Sequence, residues 1–501
     1  MEPRRARRAD DDPQNSQEVD QETDQDGTDA RRAVPRHGDR AEGATPAPDH
    51  QDRAAQTLGD SSAGHRQHSR RTAVRGGIIC AVGFAALALV VGTGVSLIPA
   101  QQLDRGRATT VMPGQTLVCP PSQQTAQMAV GSTSAQLHVS DLGGAPQQVR
   151  VPMSGAIGTG ARLVRSVSGQ GRPTATTMSL VGSGAGATSA WTSCVTASTG
   201  GTVIVADPSI SDLMVTNSES EDTTVDVSLS GAKGAIDATG SRGISIAAGA
   251  SKVLPLSVWA PGNSPVSATV TSDTGRIVAV ARSRGTVGAE TVAMSSPAQN
   301  LSIPAVPAGA TASELLVSNP GSGRATVKVS ALAAGGSFTP EGADDIEVEP
   351  NSTIAVDLSK ALAGEAVGLS VSASTPVSAQ LMATRGKDVA MATPAAAATS
   401  LQTAAPRGGT VSLSNPTDQV TRISGSYRTV KGQTVRFSAS LAAGTTWTRG
   451  LGTDAGYLLV NADHAVIGGV WYSATGLSSV PLSVVSGNTR ATRISVDAQL
   501  S

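Results

Sequence analysis

The chain has 501 residues, a net charge of −1 and only 2% aromatic residues. That length predicts several domains, and near-neutrality argues against a nucleic-acid binder that uses the whole chain. The apolar residues are mainly Ala, Val, Leu and Ile, set among abundant Gly, Ser and Thr. This mixture favours pleated strands joined by short turns.

Residues 1–75 are rich in Arg, Asp, Gln, Ala and Pro and keep no hydrophobic period. Such a stretch cannot bury enough surface to offset its ordering entropy, so it reads as a disordered tail. Arg4, Arg5, Arg7 and Arg8 read as a solvated basic end, with anionic lipid or a cytosolic partner as the alternative. His37, His50, His65 and His68 are scattered without metal-ligand spacing. The segment 76–99 contains the uncharged apolar run Ile78–Ile98. As a helix this run is about 30 Å long, which predicts one transmembrane helix. Arg70, Arg71 and Arg75 precede it, so the tail is expected in the cytoplasm and the rest outside the cell membrane. A linker, 100–116, follows. Cys80 falls in the apolar run, whereas Cys119 and Cys194 lie beyond it. An oxidising compartment would let those two pair, and two buried thiols are the alternative.

The remainder repeats itself. Leu213-Met214-Val215-Thr216-Asn217-Ser218 matches Leu315-Leu316-Val317-Ser318-Asn319-Pro320 and Val411-Ser412-Leu413-Ser414-Asn415-Pro416. The three Asn residues are about 100 positions apart, the length of one small sandwich domain. Val278–Gly285 aligns with Ala379–Gly386 and Gly469–Gly476, and Val292–Ala298 aligns with Val389–Ala395. Between these marks run short alternating segments, such as Val225, Val227 and Leu229 on one face and polar residues on the other. Period-two alternation predicts strands buried on one side. The units are drawn at 206–298, 299–398 and 399–501, with 117–205 as a divergent β unit carrying the two outer cysteines. The repeated Asn reads as a strand-ending turn residue. Trp191, close to Cys194, reads as a core residue packed on a disulfide.

Cys119-Pro120, Trp191 with Cys194, Gly200-Gly201 and the hydrophobic-Asn-Pro strand ends resemble a known family. It is the actinobacterial cell-envelope family catalogued as domain-of-unknown-function family five-seven-one-nine. The resemblance covers about residues 115–501, and Asn217-Ser218 departs from its Asn-Pro. The family has no established activity. Its genes often accompany envelope glycosyltransferases, which implies an envelope role by association. The large excess of Arg over Lys agrees with a GC-rich, actinobacterial source.

No catalytic constellation emerges. Beyond the apolar run the only histidines are His138 and His464, and no Gly-x-Ser-x-Gly elbow is present. His464 reads as a solvated residue in a turn at 461–464. Ser230-Gly231-Ala232-Lys233 matches Ser-x-x-Lys but follows a strand instead of opening a helix. Gly182-Ser183-Gly184-Ala185-Gly186 looks like a phosphate loop, yet no Lys-Ser/Thr or helix follows. Glu341, Asp344, Asp345, Glu347 and Glu349 lack calcium-loop spacing and read as a solvated strand face. Trp447, Trp471 and Tyr472 form the candidate contact patch.

The sequence therefore predicts a mainly β protein of tandem immunoglobulin-like or fibronectin-like antiparallel β-sandwiches, behind one transmembrane helix and a disordered tail. The expected function is non-enzymatic: a membrane-anchored extracytoplasmic scaffold or interaction module whose partners are envelope proteins or wall polysaccharide. No cofactor, metal or nucleic acid is expected. A wall-polysaccharide-binding module is the alternative, and a cryptic hydrolase stands behind it.

Overall fold

The computed structural model describes residues 109–111, 115–122, 124–167, 171–182, 186–284, 289–485 and 492–494. The predicted tail and transmembrane helix, and most of the linker, lie outside the described residues. Among the described residues no helix is long and apolar enough to cross a membrane.

Four sandwiches share one topology. In the first, Thr116–Cys119, Ala126–Ser132, Gln136–Asp141, Gln147–Arg150, Met153–Ile157, Arg162–Ser166, Pro173–Val181 and Thr188–Ser193 are strands one to eight. Strands 1-6-3-4 form one sheet and 5-2-7-8 the other, all antiparallel. The second sandwich repeats both orders, from Gly200–Val205 as strand one to Ala289–Ala293 as strand eight. In the third, from Ala298–Val306 to Asp388–Ala392, strands six and seven fuse into the bent strand Val367–Arg385. The fourth, from Ala398–Ala405 to Ser478–Pro481, fuses them as Gly456–Tyr472.

The divergent unit expected at 117–205 contains a complete copy of the same fold, so there are four copies among the described residues. Two sequence expectations change. Gly200–Val205 pairs with Val266–Ser272, inside the next copy, so a boundary at 205 cuts off that copy's first strand. The order also differs from an immunoglobulin domain, in which strands one and two are neighbours in one sheet. Here they lie in opposite sheets.

Alternation sets the cores. Val225, Val227 and Leu229 of the second copy point inward with Leu213, Val215, Ala279 and Ala281. Leu315, Val317, Val327, Val329 and Leu381 do the same in the third. Pairing with strand two places Ala279 opposite Val215 and Ala379 opposite Val317. The sequence match that set Val278 against Ala379 is therefore one residue out of step. In a strand that error exchanges the two faces.

The repeated Asn closes each sandwich corner. Asn319 is fully buried. Its Nδ2 donates to the carbonyls of Gly323, Val348 and Glu349 at 2.7, 3.1 and 3.2 Å, and its Oδ1 accepts the Gly321 N–H at 3.0 Å. Asn217 makes the same set with Glu221, Ile246, Ala247 and Glu219, and Asn415 with Gln419, Leu441, Ala442 and Thr417. One carboxamide thus satisfies both its own turn and the segment that leads into strand five. In the first copy Ser132 holds this place; its hydroxyl accepts the Ser134 N–H at 3.0 Å and lies in hydrogen-bond contact with the Ser134 hydroxyl at 2.9 Å. That copy has the Cys119–Cys194 disulfide instead, tying strand one to the residue after strand eight.

Replacing Asn319 by Ala leaves buried carbonyls without a donor. It should lower unfolding stability by about 2–4 kcal/mol, read from chemical denaturation of the full chain. Ser132→Ala should have a smaller effect.

Candidate functional site at the centre of the ring

The copies pack head to tail. Sheet 5-2-7-8 of the second copy presents Met214, Val278 and Val280 outward to Val118 and Leu163 of the first copy. Leu316 and Met391 of the third meet Ile204 and Val292 of the second, where the Gln380 side chain donates to the Ile204 carbonyl at 2.6 Å. Thr446 Oγ1 of the fourth donates to the Leu332 carbonyl of the third. The series then closes: Met178 and Trp191 of the first copy join the core cluster of the fourth, and Thr176 Oγ1 donates to the Ala404 carbonyl at 2.7 Å. At this last interface a Cβ on Gly131 would lie 2.2 Å from Tyr457 Cδ2, so only glycine admits the tyrosine.

The eighth strands converge where the four copies meet. Asp388 of the third copy accepts the Ser189 N–H of the first at 2.9 Å and the Leu477 N–H of the fourth at 2.5 Å. Ser189 and Ser478 are hydroxyl to hydroxyl at 3.1 Å. Thr192 Oγ1 of the first copy donates to the Thr291 carbonyl of the second at 2.9 Å. Arg385 donates to the carbonyls of Ser473 and Gly476, both at 2.7 Å.

Glu290 lies in the same region. Strand pairing gives it the place held by Ala190, Ala390 and Ser478 in the other copies. Its side chain is 4% exposed, and its Oε1 is buried without a hydrogen-bond partner. Burial pushes the Glu290 carboxyl well above the usual carboxylate range, and neighbouring Asp388 adds to the shift; the Thr291 and Met391 main chain opposes it. Burial also raises Asp388, against the N–H groups of Leu477, Ser189 and Val389 and the charge of Arg385. Glu290 lines two cavities. One, of about 260 Å³, is walled mainly by residues of the first copy, among them Ser122, Thr177, Ser179, Thr188 and Thr192. The other, of about 250 Å³, is walled mainly by apolar residues of the second and third, with Asp207, Ser211, Ser283 and Thr384 among them.

The residues singled out from the sequence go elsewhere. Cys119 and Cys194 are disulfide-bonded. Trp191 is buried, but in the interface with the fourth copy; it donates from Nε1 to Thr176 Oγ1 at 2.9 Å and does not sit on the disulfide. Trp447, Trp471 and Tyr472 do not share one face of their sheet. Tyr472 is in the core of the fourth copy, Trp447 packs against that core and Phe437, and Trp471 faces the other side of its sheet. His138 is on strand three of the first copy, between Gln148 and Arg165 in register. His464 is not in a turn: it is half-buried within Gly456–Tyr472, with a buried, unpartnered Nδ1. Arg324 pairs with Glu347 and Glu349, and Lys328 with Asp344, so the acidic run is an exposed, cation-balanced face. Lys233 is exposed in a strand hairpin after Ser230, and 183–185 lie outside the described residues.

Glu290 carried no motif. The available signal was a lone acid at a position that is Ala, Ala or Ser in the other copies, visible only after strand eight is aligned by pairing.

A family model described as a family of unknown function, DUF5719, matches residues 152–449. None of the curated proteins matches the chain. Among solved structures, it is similar to the crystal structure of a tetra-tandem repeat in the extending region of a large adhesion protein. That similarity is 12% identity over 77% of this chain and 98% of the other, with a TM-score of 0.10.

The raised carboxyls make stability depend on pH. A folded-state pKa above the unfolded value means the native state keeps a proton that the unfolded chain releases. Stability then falls as pH rises from about 4, the unfolded carboxyl value, through the folded one. Glu290→Gln should therefore gain stability relative to the parent between pH 4 and 8, with little difference near pH 4. Denaturation midpoints across that range check this, and a pH-independent offset would contradict it.

Proposed function

The chain belongs to the DUF5719 family, and from that premise we propose that it is a non-enzymatic, membrane-anchored scaffold or interaction module of the cell envelope. The observation that carries this reading is the head-to-tail closure of the four sandwiches. Such closure suits a stiff platform that presents outward loops and strand edges to other proteins. The Cys119–Cys194 disulfide agrees with an oxidising, extracytoplasmic compartment. The apolar run at 76–99 would hold the platform at the membrane, with the tail on the cytoplasmic side.

Crosslinked co-purification from native membranes tests the proposal, with the full chain beside a variant lacking residues 1–70. Both should capture the same envelope proteins. Loss of those partners with the tail would instead make the protein a transmembrane coupler. Recovery of wall polymer without proteins would favour polysaccharide binding.

A further inference from the structure

Glu290 stands out because nothing nearby neutralises it. One of its oxygens has main-chain neighbours in Thr291 and Met391, while Oε1 has no partner. The charge it feels is Asp388, of the same sign. Asp207 lines the same apolar cavity, and it is exposed and bonded to Ser209. Arg385, beside Asp388, is bonded to the carbonyls of Ser473 and Gly476. Asp212 and Arg282 belong to the opposite face of their sheet, because Arg282 alternates with Ser283, the residue paired with Glu290.

The cavity itself is built for apolar atoms. Ile204, Ile210, Ala281, Val292, Met382 and Met391 contribute to its wall, and Glu290 is the buried acid in it. A space of about 250 Å³ accommodates a molecule of roughly 6–10 non-hydrogen atoms, since a dry cavity near 150 Å³ already accepts benzene. An apolar pocket with a few polar groups is the usual form of a small-molecule site.

We propose that this cavity binds a small apolar molecule carrying one neutral hydroxyl or carbonyl group, which hydrogen-bonds to the Glu290 carboxyl. The other copies have Ala or Ser at this position and so lack the acid. A protonated carboxyl can both donate to and accept from such a head group. The neutral form is also the one that burial and Asp388 favour. The inference goes beyond the scaffold reading and does not depend on it: a platform can carry a ligand between its copies whichever partner it presents.

Calorimetric titration of the purified full chain with 1-hexanol tests it, with n-hexylamine in parallel. Hexanol should bind saturably at one site at pH 5.5 and at least fivefold more weakly at pH 9, where the acid is closer to ionisation. Glu290→Leu should weaken hexanol at least fivefold at pH 5.5. Glu290→Gln keeps a donor and an acceptor and should bind hexanol with little change between the two pH values. That variant also keeps the test valid if the Leu variant fails to fold. Absence of saturable hexanol binding would overturn the proposal. So would unchanged binding by folded Glu290→Leu, or hexylamine binding that exceeds hexanol and strengthens with pH.

Discussion

The structure depends on the stacking of sheet 5-2-7-8 of each copy on sheet 1-6-3-4 of the copy before it. This contact is heterologous: two different surfaces of one fold meet. A heterologous contact either propagates into an open series or closes into a ring, according to its rotation. Here it closes after four copies, because the first copy's Met178 and Trp191 pack into the fourth. An open array needs polar caps on its terminal repeats, whereas a closed one leaves no apolar face uncovered. The side chains at each contact are few, and each contributes roughly 1.5–3 kcal/mol when fully buried. The copies are also covalently tethered, so closure loses less freedom than association of separate partners would.

The four interfaces have diverged in chemistry while keeping their geometry. The outward position on strand seven is Met178, Arg282, Met382 or Trp471 in the successive copies. In the second copy Arg282 faces Asp212 at 3.9 Å, both nearly buried. In the fourth the same place is taken by Trp471. Small residues set the separation. Gly131 admits Tyr457, and a Cβ on Gly368 would lie 2.4 Å from Ser414 Oγ. Where the strands converge, Asp388 joins three copies through main-chain N–H groups. An acid there fixes the copies relative to one another, while Glu290 is left facing its cavities.

The mainly β class and the three later copies were legible because alternation and the Asn corner survive in the sequence. Val225, Val227 and Leu229 face inward as their spacing requires. Asn217, Asn319 and Asn415 persist because one carboxamide satisfies several buried main-chain groups at each corner. The first copy was legible only as a divergent β unit, because Ser132 stands where the others have Asn and a disulfide ties its ends. Strand seven was misaligned because its Ala, Gly, Ser and Val residues are nearly interchangeable by type, and only pairing fixes which of them face inward. Closure left no pattern to read, since it rests on single small residues such as Gly131, more than three hundred positions before its partner Tyr457.

That contact also offers the most direct test of closure. A Cβ built on Gly131 lies 3.1 Å from the Tyr457 Cβ, close to the separation of about 3.5–4.5 Å found in disulfides. The account predicts that the full chain carrying Gly131→Cys and Tyr457→Cys, exported into an oxidising compartment, forms a crosslink between its first and fourth copies. Peptide mapping without reductant would show it beside the Cys119–Cys194 bond. Two free thiols at 131 and 457, with Cys119–Cys194 intact, would contradict the ring and leave four sandwiches in an open series.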